Sequence, residues 1–433
     1  MHIAIATTEF ITEKNTGAGL ASYTANLARL LRDHGHMISI FILGPEDKEI
    51  PFEEDIMVYR IHYETQPAII KKIKSARFNR YFTVLWNLFA KSWYINRKMK
   101  RVDKVRKIDL AHYPHSESLG LFRHKKIPTV IFLACYQPLV RCAYKEDFVY
   151  EKCIDSLNLE EWLQIAAIKR VDAVYAPSRN VARLTERKAK REISIIEAPF
   201  YFKGSRIDNS IYMQFLSDKK YFMFYGTLNY LKGVHVIASI LNQFFENYPD
   251  YYFIFVGRSS TVMLQGNGMD AVEYVYAAAP QHRDKIVYYS FINNKEQLYA
   301  LIKHAKAVVL PSRVDNLPNA CIESMALGQI VIGTDGASFE QLIEDGYNGF
   351  LIERENSSQL YEKMVQVINM SEQKADLMRT RASKSVERLY PDNIYEQMMA
   401  FYQSVKELKQ KGKKQICEKL TVAEERMING KMK

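Results

Sequence analysis

Short runs of apolar residues alternate along the chain with longer segments in which apolar residues recur every three or four positions. The runs are typical of buried strands, and the longer segments are typical of amphipathic helices. Residues 20–34 and 392–409 are two of the predicted helices. The predicted strands are 2–6, 38–43, 109–112, 129–133, 173–176, 221–225, 251–256, 285–289, 307–310 and 330–332. This alternation indicates parallel sheets covered by helices.

The alternation is interrupted between residues 196 and 214, where Pro199 breaks regular structure. At 433 residues the chain is also too long for one ordinary core. We therefore predict two doubly wound α/β domains, over 1–195 and 215–390, joined by the linker 196–214. A final helix and a charged tail would occupy 391–433.

The composition is that of a globular protein, with 48% hydrophobic and 25% charged residues. The chain has no apolar run long enough to cross a membrane and no recognisable leader, so we expect a cytoplasmic protein. Five cysteines without a C-x-x-C pair argue against a disulfide framework and a zinc site. The net charge of +11 favours anionic partners.

The stretch PSRVDNLPNACIESMALG, residues 311–328, predicts a strand end, a loop and a helix. Asn319 is placed to cap the helix, Asp315 lies in the loop, and Glu323 falls in the expected first turn. Ligands of open α/β sheets bind at the carboxyl ends of strands, where a helix N-terminus attracts phosphate. Glu323 could then bind a ribose diol, and Asp315 could bind sugar hydroxyls. Alternatively, Glu323 only favours the helix start and Asp315 only a turn.

Two glycine-containing loops also follow predicted strands. In FYGTLNYLKGVHVI, Lys232 precedes a helix and could neutralise a phosphate, or it could be an ordinary solvated lysine. In NTGAGLASY, Gly17 and Gly19 would let a ligand approach the backbone closely. A dinucleotide-binding fingerprint is incomplete there, because Ser22 occupies the third glycine position. A dehydrogenase is therefore disfavoured.

These motifs resemble those of the retaining glycosyltransferases of the large GT-B group, family 4. The family has an E-x7-E motif after a P-S pair, matched here by Asp315 and Glu323. The resemblance is carried further by a G-x-L-x-x-x-K-G element, which is matched by Gly226, Leu228, Lys232 and Gly233. It extends over residues 1–405 and is most specific in the second half.

The resemblance implies a metal-independent hexosyltransferase that needs no cofactor. Its donor would be a UDP-sugar or GDP-sugar, and transfer would retain the anomeric configuration. Two Rossmann-like domains would face each other across a cleft, the first binding the acceptor and the second the nucleotide-sugar. The C-terminal helix would return to the first domain.

Individual roles also follow from the resemblance. Glu323 would hold the ribose, and Lys232 would act in catalysis at the diphosphate. Asp315 would be catalytic at the sugar, and the loop on Gly17 and Gly19 would close on the phosphates. The sugar would also meet the backbone of the loop that contains Asn316, Leu317, Pro318 and Asn319.

The sequence departs from the family pattern in two places. Thr227 stands where an arginine is usual, and Arg258 could compensate for the missing cation. Ala134 stands where a histidine is usual near the reacting sugar. His115 could take over the catalytic role, with His112 on the acceptor side; the alternative for both is a purely structural role.

Residues 71–107 contain thirteen lysines and arginines but one acid, Asp103. Five apolar residues fall near one helical face: Phe78, Phe82, Leu85, Phe89 and Trp93. This pattern predicts either an amphipathic helix on an anionic membrane or a helix whose apolar stripe packs on the sheet. No nucleic-acid-binding motif accompanies the charge, so nucleic acid is not an expected partner.

We therefore predict a glycosyltransferase of surface polysaccharide or glycolipid assembly. It would be cytoplasmic or peripheral at the inner face of the plasma membrane, and its acceptor would be a glycan or a lipid-linked glycan. Two alternatives stay open: a catalytically silent partner subunit, which Thr227 and Ala134 favour, and a nucleotide-sugar epimerase on the same fold. The Asp315 and Glu323 loop with Lys232 favours transfer over an epimerase, whereas donor hydrolysis would be needed to exclude a silent subunit.

Overall fold

The computed structural model describes residues 1–13, 18–202, 206–264 and 267–411. Within these residues the strands are β1 His2–Thr7, β2 Met37–Gly44, β3 Lys48–Glu53, β4 Ile56–His62, β5 Leu110–Pro114, β6 Thr129–Phe132, β7 Ala173–Ala176, β8 Ser194–Ile195, β9 Lys220–Tyr225, β10 Tyr251–Val256, β11 Thr261–Leu264, β12 Asn267–Asp270, β13 Ile286–Tyr289, β14 Val308–Leu310, β15 Val331–Thr334 and β16 Phe350–Ile352.

The helices in the same ranges are α1 Ala18–Asp33, α2 Ala68–Lys71, α3 Ala76–Val105, α4 Gln137–Ala143, α5 Tyr150–Ile154, α6 Leu159–Ile168, α7 Arg179–Ala189, α8 Ser210–Phe215, α9 Val234–Asn247, α10 Ala271–Ala278, α11 Lys295–His304, α12 Asn319–Ala326, α13 Ser357–Ile368, α14 Glu372–Val386 and α15 Pro391–Lys411.

The chain divides into two compact units. Of the described residues, the first contains Met1–Tyr136, Leu157–Pro199 and helix α15, and the second contains Gln137–Ser156 and Phe200–Tyr390. Each unit has its own parallel sheet accompanied by helices, as the alternating pattern predicts. The predicted two-part α/β fold is therefore confirmed, although these units are not the contiguous segments drawn from the sequence.

The sheet of the first unit has the strand order β3-β4-β2-β1-β5-β6-β7-β8. Its strands pair in parallel except β3 and β4, which form an antiparallel hairpin at one edge. Neither strand of this hairpin was predicted. Strand β3 gives no apolar run, because three of its six residues, KEIPFE, are charged. Strand β5 runs on to Pro114, so His112 lies inside the strand and not at its end.

Helix α15 belongs to the first unit, as the resemblance predicted. Its buried residues recur at a spacing of three and four and lose all exposure to solvent: Ile394, Met398, Phe401, Tyr402 and Val405. The ring of Phe401 meets that of Tyr175 edge-on, with 5.4 Å between the centroids. Near the end of the helix, Lys409 Nζ lies 2.9 Å from Asp172 Oδ1. The helix is thus part of the first core.

Helix α3 has two different apolar stripes. Its inner stripe, which includes Ile95, Met99 and Val102, lies in the core of the first unit. The predicted aromatic stripe is mostly exposed: Phe78 is 60% and Trp93 45% accessible. The alternative in which the aromatic stripe packs on the sheet is therefore wrong, because the second stripe makes that contact.

The sheet of the second unit has the order β13-β10-β9-β14-β15-β16. All its pairs are parallel, and β11 and β12 form a separate antiparallel hairpin. The loops that follow β9, β10, β13 and β14 therefore lie at the same, carboxyl edge of the sheet. That edge is where open α/β sheets bind ligands.

The segment Gln137–Ser156 lies with the second unit, although the sequence analysis placed it in the first domain. Arg313 holds it there: the guanidinium donates to the carbonyl oxygens of Ala143 at 3.2 Å and Lys145 at 2.5 Å. The ring of Phe148 lies 5.2 Å from the same guanidinium. These contacts join residues far apart in the chain, so no local pattern could predict them.

Candidate active site

The loop after β14 begins at Pro311 and ends where α12 starts. The structure makes Asn319 the first helical residue and Pro318 the N-cap, with φ −72° and ψ 105°. The predicted cap by Asn319 is therefore wrong: an extended proline turns the chain into the helix without a side-chain hydrogen bond. As in any helix, the first N–H groups of α12 have no intrahelical acceptor, so they are available to an anion.

The structure brings Lys232 and Asp315 together. Lys232 Nζ lies 2.5 Å from Asp315 Oδ2, and the two side chains are 30% and 14% exposed. Their loops follow β9 and β14, which are neighbours in the sheet. The lysine and the carboxylate that the sequence analysis singled out separately thus form one charged pair at the carboxyl edge.

Gly233 makes this approach possible. Its φ of +75° is a left-handed conformation, and a Cβ there would lie 1.8 Å from the carbonyl oxygen of Pro311. The turn before it is closed by Asn229, whose side-chain oxygen accepts from the Lys232 N–H at 2.9 Å. Only glycine lets the two loops pack so closely. Gly233 therefore sets the distance between Lys232 and the Asp315 loop.

Glu323 is the fifth residue of α12, so it lies one turn beyond the predicted first turn. Its side chain is 16% exposed and lies 3.0 Å from Lys295 Nζ. Burial acts to lower the pKa of Lys295, but attraction by Glu323 outweighs it and the pKa is raised. The start of α12 is also fixed by Tyr225, whose hydroxyl donates to the Ala320 carbonyl at 2.5 Å.

The two other glycine turns at this edge contact each other through their backbones. Gly226 and Gly257 have φ of +139° and +138°, and a Cβ on Gly257 would lie 2.0 Å from the Gly226 carbonyl oxygen. The Leu228 N–H donates to the Arg258 carbonyl at 2.9 Å. Thr227 and Arg258 are both exposed. Arg258 is thus placed beside the turn in which the usual arginine is replaced by threonine.

Gly17 lies outside the described residues. Gly19 is described: it lies in the first turn of α1, directly after the gap, and nothing lies within 4 Å of a Cβ built on it. The space around Gly19 leaves room for a ligand, but the local backbone does not require glycine there. The role of this loop at the phosphates stays a prediction.

The two histidines predicted near the reacting sugar are buried in the first unit. His115 Nδ1 accepts from the Ala134 N–H at 3.1 Å, and its Nε2 lies 3.7 Å from Cys135 Sγ. His112 Nε2 pairs with the hydroxyl of Tyr175 at 2.6 Å. Burial lowers the pKa of His115 to about 4 and that of His112 to about 3. Both rings are therefore neutral near pH 7, and their predicted roles remain untested.

An ion cluster around the buried Arg313, behind the Asp315 loop, was not predicted from the sequence. Arg313, only 3% exposed, forms an ion pair with Glu355, and the same carboxylate lies 2.7 Å from His235 Nε2. Arg354 adds a brace, because its guanidinium donates to the Arg313 carbonyl at 2.7 Å. In the sequence Arg313 looks like an ordinary surface cation, so no local signal marked it.

A second brace reaches Asp315 itself. Ser338 Oγ donates to the Asp315 carbonyl at 3.2 Å, and Ser338 has a left-handed φ of 67°. The Asp315 side chain itself accepts from the Asn316 N–H at 3.0 Å. Both polar atoms of the peptide group after Asp315 are therefore hydrogen-bonded, which positions the carboxylate before any ligand arrives.

Comparison with known proteins assigns the two halves of the chain to models of glycosyltransferases. The model described as "Glycosyl transferases group 1" matches residues 212–384, and that described as "Glycosyltransferase Family 4" matches residues 17–198. Spore coat protein SA of Bacillus subtilis is 22% identical over 318 residues, which cover 69% of this chain and 79% of that protein.

Solved structures give the same result for the fold. Sucrose-phosphate synthase from Thermosynechococcus elongatus is 16% identical, with a TM-score of 0.69 over 93% of this chain and 98% of that one. HepE of Anabaena, solved in complex with UDP, is also 16% identical, with a TM-score of 0.64 over 93% and 100% of the two chains.

The matched models together span both units and include the Lys232, Asp315 and Glu323 loops. In the part of the chain that the structure describes, no helix is both long and apolar enough to cross a membrane. The fold, the motif loops and the two family models all indicate the same class of enzyme. The chain belongs to the group 1 glycosyltransferases and has the GT-B fold.

Proposed function

We propose that the second unit binds a nucleoside-diphosphate-sugar and that the enzyme transfers the sugar with retention to a glycan acceptor. The observation that carries this proposal is the pairing of Lys232 with Asp315 at the carboxyl edge, beside the start of α12. A cation and a helix N-terminus suit a diphosphate, and an adjacent carboxylate suits sugar hydroxyls.

The donor would lie across neighbouring loops. Glu323 would accept hydrogen bonds from the ribose hydroxyls, and its partner Lys295 is 67% exposed and free to turn aside. The base would lie near residues 290–292, where Phe291 is 63% exposed. HepE, a structural neighbour, has been solved with UDP and glucose, which supports a UDP-sugar; a GDP-sugar remains the other candidate.

In this reaction the protein would contribute mainly by positioning the substrates and by stabilising the charge that develops on the leaving group. The bond between the anomeric carbon and the diphosphate oxygen breaks, and its electron pair leaves with the diphosphate. The acceptor hydroxyl oxygen bonds to the same face of the anomeric carbon, and its proton passes to the departing diphosphate oxygen. Lys232, the α12 N-terminus and Arg258 would stabilise the departing charge without a metal ion. A neutral His115 would take the catalytic role predicted for it, with His112 on the acceptor side.

The biological setting is the assembly of a surface polysaccharide or glycolipid, with the acceptor on a lipid carrier at the inner face of the plasma membrane. This part of the proposal rests on the family and on the basic character of residues 71–107. Acceptor identity is tested by radiolabelled transfer to lipid extracts.

A thermal-shift screen against nucleoside diphosphates and their sugars tests the donor site. A ligand at 100 times its dissociation constant should add about 2.7 kcal/mol to the free energy of unfolding. We expect a shift with uridine or guanosine diphosphates and none with nucleosides that lack phosphate. Proton NMR of the first product would report the anomeric configuration. The absence of any shift would contradict the donor site.

One alternative keeps the fold but removes catalysis. Thr227 is exposed where the family has a cation, and Ala134 has only a methyl group where a histidine is usual. Donor hydrolysis by the purified chain would exclude a silent partner subunit, whereas an inert chain that stabilises a second transferase would support one. Interconversion of free nucleotide-sugars without an acceptor would instead indicate an epimerase.

A further inference from the structure

Helix α3 exposes four aromatic side chains that recur at helical spacing. Phe78, Phe82, Phe89 and Trp93 are 60%, 44%, 39% and 45% accessible. Their spacing of four and seven positions places them on one side of the helix, here called the aromatic stripe. Exposure of so much aromatic surface on a single helix is costly in water, so it indicates an interaction site.

The aromatic stripe is not a displaced part of the core. The helix already packs against the first unit through its inner stripe of Ile95, Met99 and Val102. A buried polar contact fixes that orientation, because Asn96 Nδ2 donates to the Leu119 carbonyl at 2.9 Å. The helix cannot turn to bury the aromatic stripe without exposing this inner stripe.

The apolar surface continues beyond α3. The ring of Phe122, which is 40% exposed, lies 6.1 Å from that of Phe89. Ile69 on α2 is 77% exposed. Phe122 follows the short 3₁₀ turn Ser116–Ser118, which comes directly after β5. The surface thus extends from the start of α3 to the carboxyl edge of the sheet of the first unit.

Basic side chains surround this surface. Four lysines of the 71–107 segment have carboxylate partners, namely Lys71, Lys91, Lys98 and Lys107. Nine other basic residues are exposed and form no ion pair with any residue that the structure describes: Lys72, Lys74, Arg77, Arg80, Arg97, Lys100, Arg101, Lys104 and Arg106. Arg97 also covers one face of Trp93 at 4.9 Å. The charge is thus available to an external anionic surface.

We propose that the aromatic stripe, with Ile69, Phe122 and the nine free cations, docks on the surface of an anionic lipid bilayer. Aromatic rings partition into the interface between headgroups and acyl chains, and lysine and arginine are attracted to anionic headgroups. The nine cations are spread from Lys72 to Arg106, so a protein partner would need acidic residues matched to each of these positions. An anionic bilayer presents negative charge over its whole surface. The helix would lie in the plane of the interface.

This docking brings the carboxyl edge of β5 close to the bilayer. A lipid-linked acceptor would present its sugar there, a consequence that rests on the proposed function. The docking itself does not rest on the proposed function, because it requires neither donor nor acceptor. Failure of vesicle binding and failure of sugar transfer are therefore separate results.

The test is co-sedimentation of the full chain with vesicles of phosphatidylcholine alone and with about one third phosphatidylglycerol. We expect binding to the anionic vesicles and at least about tenfold weaker binding to the neutral ones. Removing one cation near the surface weakens partitioning by about fivefold, so removing three should weaken it by about 100-fold. The triple variant K72E/K74E/R77E also introduces three repelled carboxylates, so its binding should weaken by at least that factor. These three side chains are exposed, so the fold should be unaffected.

A second variant tests the aromatic contribution. The variant F78S/F82S/F89S/W93S should weaken binding to anionic vesicles by about tenfold or more while the thermal transition stays intact. The matched control for charge is K303E/K374E/K384E, three exposed lysines of the second unit, and it should bind like the wild type. Equal binding to both vesicle types, binding unaffected by either variant, or aromatic-dependent self-association without vesicle binding would overturn the proposal.

Discussion

The contact between Lys232 and Asp315 leads to a quantitative prediction for the variant Lys232→Met. Methionine keeps most of the aliphatic stem but removes the charge that lies 2.5 Å from Asp315. Because the lysine side chain is 30% exposed, the pair itself should contribute only about 1 kcal/mol to the free energy of unfolding. The same charge at the leaving diphosphate should matter more, because the site excludes part of the solvent when the donor is bound.

Removing one such stabilising group usually lowers kcat by about 10²–10³-fold, or about 3–4 kcal/mol. We therefore expect Lys232→Met to lose this much turnover while donor affinity falls less, because the charge on the diphosphate develops mainly in the transition state. The assay is release of the nucleoside diphosphate in the presence and absence of acceptor. Urea unfolding gives the stability in parallel.

The control is Lys374→Met, an exposed lysine of α14 in the same unit, which should change neither quantity. A folded Lys232→Met enzyme with unchanged kcat would refute the leaving-group assignment. A loss confined to the donor dissociation constant would instead make Lys232 a ground-state binding residue.

The remaining predictions concern the donor loop, its turn and a buried histidine. Glu323→Ala should abolish the thermal shift caused by nucleotide without lowering the transition of the free protein; an unchanged shift would contradict ribose binding. Gly233→Ala should lower the free energy of unfolding in urea by about 2–5 kcal/mol, because its Cβ would lie 1.8 Å from the Pro311 oxygen. The control Gly346→Ala has a similar φ but open space around the Cβ, so it should lower the free energy of unfolding by about 1–2 kcal/mol. His115, with its pKa lowered to about 4, takes up a proton in the unfolded chain first, so stability should fall as pH drops from about 6.5 towards 4. Urea unfolding at about pH 7 and pH 5 measures this loss of stability. Between these two pH values the free energy of unfolding of His115→Asn should fall by about 2 kcal/mol less than that of the wild type, and equal falls would exclude this linkage.

Much of the donor loop could be predicted from local sequence. Strand β9 and strand β14 are compact apolar runs, and each is followed by a polar loop and a helix-period segment. That order suffices to place Lys232 and Asp315 at the same edge of a parallel sheet. Their contact within hydrogen-bonding distance needed the structure, because it depends on β9 and β14 being neighbours.

The roles of the histidines were beyond the reach of the sequence for a different reason. The one-letter pattern around His112 and His115 is compatible with catalysis and with packing alike. Burial decides their protonation, and burial depends on strands and helices that come together from several parts of the chain. The sequence marked the residue types, and the fold determined that both rings are neutral.

The amino-acid sequence by itself determined the alternation of strands and helices, the two sheets and the motif loops at their edges, because hydrophobic periodicity reports the local conformation that buries each side chain. Tertiary structure alone decided that Gln137–Ser156 joins the second unit, where Arg313 binds its carbonyl groups. It also decided which stripe of α3 enters the core and which stays exposed. Both outcomes depend on contacts between residues distant in the chain, and periodicity carries no information about such contacts.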